Sequence, residues 1–164
     1  MDYLLLGDHI YYDDRGNLFN IFQSPSTDHF VLYARCVARA LQAGLFPVLA
    51  HPDVFALHHY GWDRNCEEAC EIVLQAASDN HTVLEFNAKG LRHGLQDFPE
   101  GRRYPYPAKA FWDKVVGTGI PVIVGADAHA PDNLEDDAVL LCRRLLKQLD
   151  MTPLEDLEYL FPSK

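Results

Sequence analysis

Histidines, acidic residues and one asparagine lie at the ends of short apolar runs or directly after them in this sequence. The residues are His9, His51, Glu85, Asn87, Asp127 and His129. Imidazole nitrogens and carboxylate oxygens together are ligands that suit Zn, Mn or Fe. Asp127 and His129 stand two residues apart, which on an extended chain places both side chains on the same side. These residue types in this pattern predict a divalent-metal site.

The apolar runs that precede these residues have the length and composition of buried strands. They cover residues 3–10, 46–50, 82–87 and 120–124. Segments with apolar residues at helical spacing separate them, so strands and helices alternate along the chain. This alternation predicts an α/β fold with about four parallel β/α units.

Capping residues and prolines set the expected helix boundaries. We expect one helix from the polar cluster 26–28 to Gly44, and a second over 63–78. A long loop should follow the third strand until Pro107 opens the next helix in its first turn. The last long helix should run from Pro131 or Asp132 to Leu149, with a short one near 154–160.

A single histidine after a strand is a weak signal, because such a residue is often only a hydrogen-bonded part of a loop. Four strands that each end in a potential ligand are more informative. The carboxyl ends of parallel strands meet at one edge of a sheet, where α/β barrels carry their active sites. We therefore expect His9, His51, Asp127 and His129 to lie at the same edge.

The charge balance limits the classes of ligand. The formal net charge of the chain is −10, which argues against a nucleic-acid-binding protein, because such proteins normally show a basic face. A phosphate ester would need local cations, either bound metals or well-placed Arg and Lys. At 164 residues the chain has the size of one domain with its own core.

The sequence contains neither a recognisable secretory leader nor an apolar run of about 20 residues, the length that a membrane span needs. We therefore expect a cytoplasmic protein without a membrane partner, whose four cysteines are reduced thiols. Cys66 and Cys70 stand four residues apart. They could form half of a zinc site. We favour the alternative that they are two small apolar residues on the buried face of one helix.

Several segments together resemble the later motifs of histidinol phosphatases of the PHP (polymerase and histidinol phosphatase) family. They are LGDH (6–9), AHPD (50–53), LEFNAKGLR (84–92), YP (104–105) and VGADAHAP (124–131). They occur in the family order and span nearly the whole chain. The E-x-N-x-x-G-L-R and G-x-D-A-H-x-P segments are specific as a pair.

The resemblance implies a distorted TIM-like (β/α)₇ barrel with up to three divalent metals at its rim. It makes His9 and His51 ligands of one metal, Asp127 a ligand of a second and His129 of a third. Asp127 and His129 would thereby be the catalytic residues. The resemblance assigns the substrate phosphate to Arg92, with Arg102 and Arg103 as helpers or as solvated loop residues. It places Glu85 and Asn87 as hydrogen-bonding supports.

The His-x-His motif that opens the family pattern does not occur in this chain. Residues 1–164 therefore correspond to the C-terminal part of a PHP domain, and fewer metals than three are expected. Three explanations are compatible with this. The chain is a fragment of a longer enzyme, it pairs with itself as a homodimer, or its missing N-terminal half is a separate polypeptide.

Two classes of function follow from the resemblance and its gap. The first is a metal-dependent phosphomonoesterase that hydrolyses L-histidinol phosphate in histidine biosynthesis, with this chain incomplete and inactive by itself. A PHP phosphoesterase acting on another small phosphate ester is the nearest enzyme alternative. The second is a non-catalytic structural or subunit-binding module.

Overall fold

The computed structural model of the protein describes residues 3–158. Helices α1 to α5 are Asp28–Gln42, Arg64–Asp79, Ala88–Arg92, Lys109–Val115 and Asp137–Gln148. Strands β1 to β8 are Leu5–Leu6, Ile10–Tyr12, Leu18–Asn20, Val48–Leu49, Val83–Asn87, Gln96–Phe98, Gly101–Arg103 and Val122–Gly125. Short 3₁₀ turns occupy Ile21–Gln23, Val54–Leu57 and Pro131–Asn133.

Four strands form one sheet in the order β1-β4-β5-β8. All three neighbouring pairs are parallel, with Leu5 opposite Val48 and Glu85 opposite Ile123. The predicted α/β fold with four parallel strands is therefore confirmed. Because the strands run the same way, their carboxyl ends lie along one edge, which is the edge that carries the candidate ligands.

The two outer strands of this sheet differ. Leu154 pairs in parallel with Ile123 of β8, and its N–H donates to the Val122 carbonyl oxygen over 2.7 Å. Within residues 3–158, the outer edge of β1 pairs with no strand. Leu5, on that strand, is 48% exposed, so an apolar side chain and unpaired backbone groups face outward together.

The helices bury one apolar stripe each. Helix α1 packs along α2, and α5 packs on β5, β8 and α3. Asp63 caps α2 by accepting hydrogen bonds from two N–H groups of its first turn. Cys66 and Cys70 of this helix are buried, which confirms that they belong to the core. No helix within the described residues has the length and hydrophobicity to cross a bilayer.

Two segments differ from the prediction because the chain forms local hairpins there. The first strand ends at Leu6, and residues after His9 turn away to form β2, which pairs antiparallel with β3. Asp13 drives that turn by accepting hydrogen bonds from the Arg15 and Asn17 N–H groups. The predicted loop after the third strand instead contains α3 and the β6–β7 hairpin.

The start of α4 was also predicted too early. The helix begins at Lys109, and Pro107 precedes it after a cis peptide bond. Buried Asp53 fixes this start, because its Oδ2 accepts hydrogen bonds from the Ala108 N–H at 2.6 Å and the Trp112 Nε1–H at 3.0 Å. The AHPD segment is thereby tied to the core beneath α4.

The last long helix begins at Asp137, later than predicted, since Asp136 is the residue that caps it. Residues 131–133 form only a 3₁₀ turn. Of the short helix predicted near 154–160, Leu154 lies in a β-bridge instead, and residues 159–160 lie outside the described part of the chain.

Gly90 allows α3 to lie against the segment that contains Tyr106. A Cβ atom at Gly90 would overlap the backbone oxygen and the ring of Tyr106. Gly7 is a useful contrast, because its added Cβ would meet its nearest neighbour, His51 Nε2, at an ordinary 3.7 Å.

We predict that Gly90→Ala lowers the free energy of unfolding by about 3 kcal/mol, the upper part of the range for overpacking a core. Denaturant unfolding followed by circular dichroism measures it. Gly7→Ala is the control and should change stability by less than about 1 kcal/mol. Equal stability of the two variants would contradict the close approach of α3 to Tyr106.

Candidate functional site

A cavity of about 670 Å³ opens at the carboxyl edge of the parallel sheet. His9, His51, Asp127 and His129, which the sequence predicts to meet there, all line it. Six of the eight histidines of the chain contribute to its wall: His9, His51, His58, His59, His93 and His129. The structure therefore brings the four predicted ligands into one cavity.

Among the side chains of the four candidate ligands, those of His9 and His51 approach each other most closely. Their Nε2 atoms are 3.2 Å apart and their rings stack with an interplanar angle of 16°. Burial, with smaller contributions from the charges of His9 and Lys89, lowers the pKa of His51 to about 4. His51 is therefore neutral near pH 7 and keeps a nitrogen lone pair available.

Glu85 and Asn87 of β5 hold the surrounding strand ends in place. Glu85 Oε2 accepts hydrogen bonds from the His51 backbone N–H at 3.0 Å and from Asn87 Nδ2 at 2.8 Å. Asn87 Nδ2 also donates to Asp127 Oδ2 at 3.1 Å. Burial raises the pKa of Glu85, although the two donors oppose that shift. This network joins the ends of β4, β5 and β8.

The backbone at two of the candidate ligands is strained. His51 has φ of +31° and Asp127 has φ of +45°, and few non-glycine residues adopt this left-handed region. Each follows the strand that presents it after one intervening residue. Such backbone conformations are retained where the surrounding structure enforces them, frequently at functional sites.

Asp127 and His129 lie on the outer side of the cavity. The His129 side chain is 66% exposed, and its Nδ1 is 3.5 Å from Asp127 Oδ1. Lys89 Nζ lies 3.0 Å from His129 Nδ1 and 2.9 Å from His129 Nε2. Lys89 is a residue that the sequence prediction missed, although it stands inside the LEFNAKGLR segment.

The donor set of His9 and His51 fits a divalent metal in part. Two nitrogens bound to one tetrahedral zinc at about 2.0–2.1 Å are separated by about 3.3 Å, close to the observed 3.2 Å between the Nε2 atoms. His51 Nδ1 is buried and has no hydrogen-bond partner within the described residues. Across residues 3–158, no three His, Cys, Asp or Glu side chains are grouped closely enough to hold a metal. The described site is thus a two-nitrogen pair with Asp127 nearby.

Arg92 is not brought into the cavity. Its guanidinium donates to Asp136 through Nε at 2.6 Å, to the Ala126 carbonyl oxygen at 2.6 Å and to the Asn133 carbonyl oxygen at 2.8 Å. Arg92 therefore clamps α3 to the segment between β8 and α5. Its predicted phosphate contact stays a prediction, and these bonds would have to break for the contact to form.

The other two predicted arginines also have structural surroundings. Arg103 stacks on the Phe98 ring at 3.5 Å and donates to the Ala56 carbonyl oxygen. Arg102 is exposed on the β6–β7 hairpin.

Compared with protein-family models and with curated proteins, the chain matches none. The resemblance to histidinol phosphatases therefore rests on the sequence motifs, and the interpretation of the site rests on its own geometry.

We predict that Arg92→Met lowers the free energy of unfolding by about 2–3 kcal/mol, because it leaves a partly buried carboxylate and two carbonyl oxygens without their donor. Chemical denaturation provides the measurement. Arg102→Met removes an equal charge from an exposed site and should stay within about 0.5 kcal/mol of the wild type. An Arg92→Met protein as stable as this control would contradict the clamp.

The clamp also predicts a pH dependence. The hydrogen bond from Arg92, assisted by the N–H groups of Val139 and Ala138 and by the Arg92 charge, lowers the pKa of Asp136 to about 2. A carboxylate with a depressed folded-state pKa stabilises the protein above its unfolded pKa, near 3.8, and this contribution is lost as pH falls towards 2. Asp136→Asn keeps a capping oxygen but not the charge. Thermal unfolding should show the wild type losing its advantage over this variant between about pH 4 and pH 2, and a constant difference would contradict the pairing.

Proposed function

We propose that this chain carries part of the active site of a metal-dependent phosphomonoesterase similar to the histidinol phosphatases of the PHP family. The proposed reaction releases phosphate from L-histidinol phosphate. The observation that supports it best is the pair of facing Nε2 atoms of His9 and His51, with Asp127 in the same cavity. The parallel sheet is compatible with part of a TIM-like barrel, which we propose as the complete fold.

The residues have distinct proposed roles. His9 and His51 would hold one Zn, Mn or Fe ion, with the His51 backbone fixed by Glu85. Asp127, oriented by Asn87, would hold a second ion, and exposed His129 would serve a third ion or pass a proton to the leaving group. A bound divalent metal supplies a Lewis acid for the phosphoryl oxygens and an activated water as nucleophile. A small phosphate ester other than histidinol phosphate is an equally suitable substrate class for this cavity.

A second candidate is a non-catalytic structural or subunit-binding module. The unpaired outer edge of β1, with exposed Leu5, favours it. Unpaired edges are the places where another chain can add a strand. The two candidates are compatible if a second copy or a separate N-terminal half joins there and completes the ligand set.

We predict that the isolated chain binds Zn²⁺ or Mn²⁺ weakly, because firm binding needs three or four protein ligands. Isothermal titration should show that His9→Ala and His51→Ala each remove this binding. His81→Asn is the matched control, because His81 lies in the turn before β5 and does not line the cavity. Unchanged metal binding by the His51→Ala protein would refute the pair as a site, and three tightly held metals per chain would refute the incomplete ligand set.

We also predict the effect on catalysis. The isolated chain should release essentially no phosphate from histidinol phosphate with added Mn²⁺ or Zn²⁺. In the complete enzyme, Asp127→Asn and His129→Ala should each abolish turnover by removing proposed ligands. A colorimetric phosphate assay tests both. Turnover by this chain alone at roughly 1 s⁻¹ or more, a typical enzymatic rate, would show that the described residues already suffice.

A further inference from the structure

Among the described residues, Lys89 is the one Lys or Arg side chain that lines the cavity. Arg92 is tied to Asp136 and does not line the cavity. In a protein with a net charge of −10, a phosphate site needs local cations, and a lysine can supply one beside any bound metal. The inference that follows rests on the proposed function and concerns how that site recognises its ligand.

The ammonium group of Lys89 has no carboxylate partner among residues 3–158. Lys109 and Lys114 pair with Asp113 and Glu67, whereas Lys89 Nζ contacts only the two ring nitrogens of His129, at 3.0 and 2.9 Å. An ammonium group has three donors and no acceptor, so an imidazole ring satisfies it incompletely. An oxyanion in the cavity would be a stronger partner.

A hydrogen bond fixes the backbone of Lys89 at the base of the cavity. Asn87 Oδ1 accepts the Lys89 N–H at 2.8 Å, and the same Asn87 side chain bonds to Glu85 and Asp127. The network that positions the candidate ligands thus also positions the base of this lysine.

The position of Lys89 also affects what His129 can bind. A positive charge about 3 Å from both ring nitrogens opposes a divalent cation on either of them, since like charges repel strongly at this distance. An anion between Lys89 and His129 meets no such repulsion. While Nζ stays beside the ring, the pair suits oxygen atoms of a ligand better than a further metal, and the third ion proposed for His129 requires Nζ to move away first.

We propose that Lys89 binds the phosphoryl oxygens of the ligand in this cavity, with His129 beside it, in the role that the sequence resemblance assigns to Arg92. On binding, Nζ leaves the His129 ring and donates to the phosphoryl group. The recognised chemistry is a phosphate dianion or monoester.

Inorganic phosphate binding, measured by calorimetry on the folded chain, tests this assignment. Lys89→Met should weaken the affinity about tenfold, the size expected for one charge-assisted hydrogen bond. Lys89→Arg should stay within about threefold of the wild type. Lys109→Met removes an equal charge outside the cavity and should leave the affinity unchanged. Phenyl phosphate should rank the variants by affinity in the same order. Phenol lacks the phosphoryl group, so any affinity for it should be the same with and without Lys89.

A spectroscopic measurement excludes a merely structural effect of the substitution. At a phosphate concentration near the wild-type dissociation constant, phosphate should shift the His129 ring resonances clearly in the wild-type protein and much less in Lys89→Met. An unchanged phosphate affinity in Lys89→Met, an equal loss in Lys109→Met, or no phosphate binding by the wild type would each overturn the assignment.

Metal titration of the same proteins separates the two proposals. If metal binds at His9 and His51 but the phosphate affinity does not change in Lys89→Met, only this inference is refuted. If the phosphate affinity depends on Lys89 but no metal binds, the metal-dependent function is refuted.

Discussion

The buried Glu85 carboxylate is the contact on which the arrangement of the site depends. One of its oxygens accepts hydrogen bonds from the His51 backbone and from Asn87, and Asn87 extends the connection to Asp127. Gly125 leaves the room for it, because a Cβ there would overlap the Glu85 side chain. A buried carboxylate is costly unless donors surround it. The donors that satisfy Glu85 are the same groups that place the candidate ligands.

This dependence accounts for the backbone strain at the strand ends. His51 and Asp127 have positive φ, and each is reached by the Glu85–Asn87 network, His51 through its N–H and Asp127 through its carboxylate. A local conformation of this kind costs about 1–3 kcal/mol per residue. Hydrogen bonds in a buried setting can offset that cost. The buried base of the site contrasts with its outer part, where His129 is exposed and Lys89 is half-buried, so a ligand can be exchanged there.

The sequence was sufficient for the parallel sheet and for the meeting of four predicted ligands, because both follow from local patterns. Apolar runs of strand length alternate with helical spacing, and residues after parallel strands share an edge. The hairpins were missed because their pairing depends on turns such as Asp13–Asn17 and not on apolar periodicity. The start of α4 depends on Asp53, which is 55 residues from its Ala108 partner.

Arg92 and Lys89 show the same limit within the site. Both stand in one segment, LEFNAKGLR, and the family resemblance alone assigns the phosphate contact to the arginine. Asp136, 44 residues further along the chain, binds Arg92 and so keeps it out of the cavity. Lys89 is therefore the cation that lines it. Long-range pairing of this kind leaves no periodic trace in a single sequence.

The two outer strands of the sheet, β1 and β8, differ in how readily another strand can pair with them. Leu154 already occupies hydrogen-bonding positions beside β8, so further strands can be appended at β1. A parallel strand appended there would terminate next to His9, since His9 follows β1 at the carboxyl edge. A polypeptide that extends the sheet at β1 would therefore bring its own terminal side chains next to the His9–His51 pair.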